Sequence, residues 1–234
     1  MEQSLSDAAF DENINFFIRD GKSVVTACVG KMESDTDDVR CYTEAAAKAL
    51  RRYLQSGHKR PHFINFATAM GRSFDSENDY GRINEAILLS LLHEAYVPLE
   101  CREDPHWHGH RLQEIFIDHS FLTESQLDWV LAVDQGRTLA KDIIEPDPER
   151  MTPLRIAEHV QSYFTNQPNV RITVEKEDLV ESYPLLAAVA RASMHVPRHH
   201  PVVLHLEYSH HSTEEDLYFV GKGISYDTGK NTPF

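Results

Sequence analysis

A chain of 234 residues with 41 % hydrophobic content can fold as one large domain or two smaller ones around a real core. Its 23 basic residues stand against 37 acidic ones, and the net charge of −14 repels phosphate backbones, which excludes a general electrostatic footprint for nucleic acid. Cys28, Cys41 and Cys101 write neither a disulfide framework nor a CxxC knuckle, the opening MEQSLSDAAFDEN is not leader-like, and no run approaches the roughly 18 apolar residues of a membrane span; the expectation is a soluble, cytoplasmic protein with no nucleic-acid or membrane partner.

From Asn15 to Arg40 an apolar-rich stretch is interrupted by Asp20-Gly21, a hairpin-type turn between two strands. Thr43 then reads as an N-cap, with Ala46, Leu50, Tyr53 and Leu54 on one helical face and Gly57 as the stop. The run His62 to Thr68 reads as a strand. A second helix carries Ile83, Ile87 and Leu91 at i, i+4 and i+8, with Leu88 and Leu92 widening the stripe until Pro98. Leu112 to Asp118 reads as a further short strand. Strands alternating with amphipathic helices place an α/β layer domain over residues 1–122.

Glu124 to Ile144 is the next helical pattern, closed by Glu145-Pro146-Asp147-Pro148, so that residues 123–146 read as a linking helix. Thr152-Pro153 opens another helix in the preferred order of cap and N1 proline, with Ile156, Val160 and Phe164 as its stripe. Val170, Ile172 and Val174 alternate as a strand does. Pro184 leads a small-residue helix through Ala192, and Val202 to Tyr208 and Leu217 to Val220 read as two apolar strands.

Few motifs in this series carry chemistry. Gly21-Lys22-Ser23 lacks the glycine five residues upstream that a phosphate loop needs, because that position is Phe16. His106, His108 and His110, the pairs His199-His200 and His210-His211, and the run Glu214-Glu215-Asp216 are read as loop residues facing solvent rather than as ligands, since none has a matched carboxylate partner or helical spacing. No GxSxG, HExxH or Cys/His dyad is present, so classical nucleophilic hydrolases and helix-borne zinc peptidases have no support. Lys222 and Asp227 follow an apolar run and lie five apart among glycines, which lets both approach one point; an aspartate suits a hard divalent ion, whereas a lysine ligand must be neutral. A surface hairpin with both residues at its tip fits the same spacing.

Four stretches in order decide more than any one of them: RTLAKDIIEPDPERMTP at Arg137 to Pro153, YPLLAAVARAS at Tyr183 to Ser193, HHPVVLHLEY at His199 to Tyr208, and LYFVGKGISYDTG at Leu217 to Gly229. Together they resemble the leucyl (cytosol) aminopeptidase family of two-metal peptidases. The resemblance covers about residues 124–234, the N-terminal part being similar only as a small α/β domain. It implies an N-terminal macro-like α/β domain, a linking helix and a mixed-sheet α/β catalytic domain, here incomplete, over residues 147–234. It also implies a homo-hexamer in the full-length form, a peptide substrate that loses its N-terminal residue, and two divalent ions, zinc or manganese, that activate water and polarise the scissile carbonyl. Lys222 matches the family's lysine metal ligand and Asp227 the aspartate five residues on.

The family pattern continues after DTGG with a catalytic lysine, a further metal aspartate and an NTDAEGR-like segment. Here Gly229 is followed by Lys230, Asn231, Thr232, Pro233 and Phe234. One aspartate and one neutral lysine do not offset two doubly charged ions. The expectation is therefore a C-terminally truncated member, inactive as this chain, with metal candidates Lys222 and Asp227 and no assigned catalytic or cofactor-binding residue. The alternative is a non-catalytic interaction or assembly module built on the N-terminal α/β domain.

Overall fold

The computed structural model describes residues 14–30, 38–64, 80–109, 112–209 and 215–225. The chain divides into two compact units, Met1–Ala140 and Lys141–Phe234.

In the first unit, strands β1 (Ile14–Arg19) and β2 (Lys22–Ala27) pair antiparallel with Arg19 opposite Lys22. Asp20 and Gly21 between them take positive φ, 49° and 71°, the two-residue turn whose twist matches that of its strands. Helix α1 (Val39–Gln55) starts four residues before the expected Thr43, because the Asp38 carboxylate accepts a hydrogen bond from the Arg40 backbone N–H at 2.8 Å and caps the helix there. Hydrogen bonds from the Arg40 side chain and backbone also hold the Asp38 carboxyl below the usual carboxylate range. Thr43 lies inside the helix, its hydroxyl donating to the Arg40 carbonyl at 2.9 Å. At the other end Gly57, at φ 87°, donates to the Leu54 carbonyl at 2.9 Å and closes the helix where the sequence predicts it.

Helix α2 (Ile83–Ala95) follows a 3₁₀ turn at Tyr80–Arg82 and packs against α1. Ile83, Ile87, Leu88 and Leu91 of α2 join Ala46, Leu50 and Leu54 of α1, with Phe121 and Val130, in one buried cluster. Arg51 of α1 grips Glu94 of α2 through two hydrogen bonds of 2.8 and 2.6 Å, and Ser90 donates to the Thr43 carbonyl at 2.8 Å. Strands β3 (His62–Phe63) and β4 (Phe116–Ile117) pair parallel. A parallel pair needs a long connection, supplied here by α2 and the short α3 (Leu99–Glu103). Both strands are shorter than their sequence runs suggest, and residues 65–68 of the first lie outside the described residues.

Helix α4 (Glu124–Ile144) has the bounds expected of it, and the division between the two units falls within it. Its start is set by a reciprocal box: the Thr123 N–H donates to Gln126 Oε1 at 3.0 Å, and the Gln126 N–H points back at the Thr123 hydroxyl at 3.4 Å. Among the described residues no helix is long and apolar enough to cross a membrane.

The second unit holds α5 (Pro153–Phe164), with Thr152 at the N-cap position and Pro153 at N1 as expected, although the Thr152 side chain makes no capping hydrogen bond; the helix buries Ala157 and Val160. Strands β5 (Val170–Glu175) and β6 (Val203–Tyr208) pair antiparallel, with Val170, Ile172 and Val174 on the more covered side. Helices α6 (Leu179–Ser182) and α7 (Pro184–Ala190) lie between them in sequence. Helix α7 stops two residues before the expected Ala192 and buries no side chain, leaving Leu185 and Val189 exposed. The run Leu217–Val220 is not the buried strand its composition suggests: it belongs to no strand and is exposed, because among the described residues β6 hydrogen-bonds only to β5 and no strand flanks the run. The class is α/β, built among the described residues from helices and three two-stranded sheets.

Candidate metal centre

Lys222 stands exposed between Gly221 and Gly223 on the segment that carries the exposed apolar run. A lysine coordinates a metal only as the neutral amine, a form that a dry pocket favours, and among the described residues none covers this side chain. Asp227 lies outside the described residues, as do His110, His210, His211 and Glu214. His106 and His108 are exposed, and the Asp104 carboxylate that could have served them accepts instead from the His106 backbone N–H at 2.8 Å. Glu215 and Asp216 are exposed as well. Among the described residues no three His, Cys, Asp or Glu side chains converge on a point that could hold an ion. That donor set does not fit two divalent cations, which need several anionic ligands between them.

What the fold does bring together is a set of carboxylate-centred clusters that spacing did not reveal. Glu149, in the loop before α5, accepts from Arg198 Nε at 2.7 Å and lies 2.7 Å from His199 Nε2, both on the 3₁₀ turn Pro197–His199. His199, which the spacing predicts as a loop residue facing solvent, is instead a partner of Glu149. His200, its neighbour, turns its ring to the Met194 carbonyl at 3.1 Å. In the second cluster Glu175, at the end of β5, meets His205 Nε2 of β6 at 2.7 Å. The same carboxylate is hydrogen-bonded to the Tyr183 phenol and thereby pushes that phenol above its usual range. Arg171 and Glu207 form a further ion pair across the two strands. Glu149 thus joins the RTLAKDIIEPDPERMTP stretch to HHPVVLHLEY, and Glu175 joins YPLLAAVARAS to HHPVVLHLEY. Glu149 lies 49 and 50 positions from its partners and Glu175 lies 30 from His205, separations that leave no periodic trace, so no local pattern announces them.

The hydrogen bond from Arg198, before any other influence, holds the Glu149 carboxyl below the usual carboxylate range. A depressed carboxyl contributes its linkage fully above the unfolded-state value and loses it as pH falls through the lower folded value. In carbon-13 NMR the Glu149 side-chain carboxyl is expected to titrate below the usual carboxylate range, and Arg198→Ala is expected to return it toward that range. A Glu149 titration that Arg198→Ala leaves unmoved would contradict the linkage.

Residues 138–231 match the cytosol aminopeptidase family, catalytic domain. Over 210 residues the chain is 31 % identical to a Caenorhabditis elegans protein that carries an aminopeptidase name, an alignment covering 88 % of this chain and 38 % of that one. Among solved structures it is similar to a mutant of tomato leucine aminopeptidase, with a TM-score of 0.75 at 15 % identity over 97 % of this chain and 44 % of that chain. It is also similar to the bottromycin maturation enzyme BotP, solved in complex with Mn, with a TM-score of 0.57 at 14 % identity over 77 % of this chain and 36 % of that one. At those identities the two structures speak for the fold alone. The family match begins one residue after Arg137 and, apart from that residue, takes in all four stretches that carry the resemblance. Residues 138–231 are therefore similar to the catalytic domain of the cytosol aminopeptidase family, and the chain spans about two fifths of the length of these relatives.

Proposed function

We propose that this chain is built on the plan of a metal-dependent leucyl-type aminopeptidase, and that the 234-residue polypeptide by itself does not hydrolyse peptides. In the full-length form such an enzyme would act in the cytoplasm as a homo-oligomer, a hexamer, and would release N-terminal residues from peptides with two zinc or manganese ions. Lys222 and Asp227 are the residues of this chain that would contribute to that centre. The observation that carries the inactivity is the surroundings of Lys222: an exposed side chain beside an uncovered apolar run, with no converging set of carboxylates or histidines among the described residues. Without a water-excluding cleft and anionic ligands, neither the ions nor the scissile carbonyl would be held.

The purified 234-residue chain, incubated with leucine p-nitroanilide and either Mn²⁺ or Zn²⁺, is expected to release nitroaniline no faster than buffer. Metal-dependent hydrolysis that Lys222→Ala abolishes would overturn the proposal.

A second reading, a non-catalytic interaction or assembly module, is favoured by the continuous core of the first unit, which contrasts with the exposed apolar side chains of the second. Limited proteolysis should then leave a stable N-terminal fragment. Because Val130 is fully buried in that core, the fragment must retain at least the first half of α4. Cleavage distributed evenly over both units would argue against it.

A further inference from the structure

Asp20 is the single aspartate or asparagine in the sequence that a glycine follows. That dipeptide has a chemistry of its own. The backbone nitrogen of the residue after an aspartate can attack the side-chain carboxyl carbon and close a five-membered ring, and a side chain on that residue crowds the approach, whereas glycine leaves it clear. Proline has no N–H to give up, so Asp104-Pro105 and Asp147-Pro148 are closed to the reaction.

The fold leaves this dipeptide open to water. Asp20 and Gly21 are the whole connection between β1 and β2, the Asp20 side chain is 92 % exposed, and its ion pair with Arg19 Nε is a loose 3.9 Å. Apart from its two chain neighbours, none of the described residues has an atom within 4 Å of the point where a Gly21 Cβ would sit. Arg19 and Lys22, the last rung of the ladder, are exposed, and Ile18 one rung earlier is 72 % exposed. The closed turn holds both residues at positive φ, so the backbone at Asp20 has to rotate before the nitrogen reaches the carboxyl carbon. That rotation breaks few contacts, because a loop tip with exposed end rungs lies at the low end of local stability.

We propose that Asp20-Gly21 is a site of spontaneous isoaspartate formation in the folded chain. The Gly21 nitrogen bonds to Asp20 Cγ, and its proton leaves with the hydroxyl of the protonated carboxyl as water, giving a succinimide. Water then opens the ring at one of two carbonyls. Breaking the bond from nitrogen to Cγ regenerates aspartate; breaking the bond from nitrogen to the main-chain carbonyl carbon frees the α-carboxylate and leaves Gly21 joined through the side chain. The second outcome adds one methylene to the main chain of a two-residue turn whose length sets the register of Arg19 on Lys22, so the end of the hairpin no longer closes. Neither the metal centre nor peptidase activity enters this reaction.

The whole chain is aged at neutral pH and body temperature beside a synthetic peptide of residues 14–27, then digested. The isoaspartyl peptide, equal in mass to its parent, is separated by chromatography and located by its electron-transfer fragments. Isoaspartate at position 20 is expected to accumulate in the protein within about tenfold of the peptide's rate, since a turn open about a tenth of the time or more reacts at that fraction of the free rate. Asp20→Asn, which closes the same ring with loss of ammonia in place of water, is expected to react faster. Asp20→Glu is expected to give no such product, because its ring would need six members, while an unchanged urea midpoint shows that the unit still folds. A protein free of isoaspartate at position 20 when the peptide has largely converted overturns the proposal, because the turn then does not open to reaction. It is also overturned by an Asp20→Asn rate no higher than the parent's, or by equal conversion at aspartates that no glycine follows.

Discussion

Ile87→Ala lowers the stability of the N-terminal unit by about 3–4 kcal/mol, the expected cost of lost apolar burial plus the cavity that its neighbours only partly fill. Ile87 is 2 % exposed and sits in α2 within the cluster formed with Ala46, Leu50 and Leu54 of α1. The residue is branched and wedged between two helices, so the backbone cannot collapse into the space without moving one helix on the other. The chain's two tryptophans, Trp107 and Trp129, both fall in the first unit, so tryptophan fluorescence in urea follows that unit. With a slope of about 1–3 kcal/mol per molar urea, the midpoint should drop by about 1–4 M at an unchanged slope. Ile87→Val should cost only about 1 kcal/mol, and Leu185→Ala, on an exposed position of α7, should stay within about 0.5 kcal/mol. A midpoint for Ile87→Ala within about 0.3 M of the parent would mean that this cluster is not the core.

The second large effect concerns a buried charge. The Glu85 side chain is 5 % exposed in the first turn of α2, and Arg82, 61 % exposed, reaches it through Nε at 2.7 Å and Nη2 at 3.2 Å. The guanidinium also lies 4.0 Å above the Trp129 ring centre, so one side chain answers a carboxylate in its plane and a π-face beneath it. Helix polarity adds to the carboxylate's stabilisation, because it stands near the N-terminal amides. Arg82→Ala removes the guanidinium from a carboxylate that water reaches poorly, and a cost of about 2–4 kcal/mol is expected, toward the lower side of buried pairs because the arginine itself is half in solvent. Arg82→Lys should recover only part of it, keeping a charge but losing the fork and the stacking plane. The cycle of Arg82→Ala, Glu85→Gln and the double variant should return a coupling above about 1 kcal/mol. Additive single effects would show that Glu85 is held by other groups.

How much of this was legible beforehand depends on the range of the interaction. The Asp20-Gly21 turn, the Gly57 stop, both ends of α4 and the Thr152-Pro153 start of α5 are codes that act within four or five residues, and each stands where composition and spacing put it. The cap of α1 is Asp38 and not Thr43 although the code is equally local: both residue types are good caps, and the nearby Arg40 secures Asp38 through its backbone N–H and its side chain. The strand expected at Leu217–Val220 failed for a different reason. A strand is completed by partners elsewhere in the chain, and its residues' propensity does not supply them. Of the candidate site, Lys222 and Asp227 were legible only as part of a family pattern. The grouping of Glu149 with Arg198 and His199 was not legible at all.

By itself, then, the sequence determined the class, the order of most elements, the turns and caps between them, and the resemblance to the cytosol aminopeptidase family through four ordered stretches, because hydrophobic period, special backbone angles and local hydrogen bonds are written residue by residue. Only the tertiary structure decided that Glu85 is buried under Arg82, that β3 pairs parallel with β4, that Glu149 and Glu175 tie three of those stretches together, and that Lys222 stands in the open beside an uncovered apolar run. Each of these depends on which surfaces meet after the chain has folded, and desolvation and charge pairing act across space without regard to position along the chain.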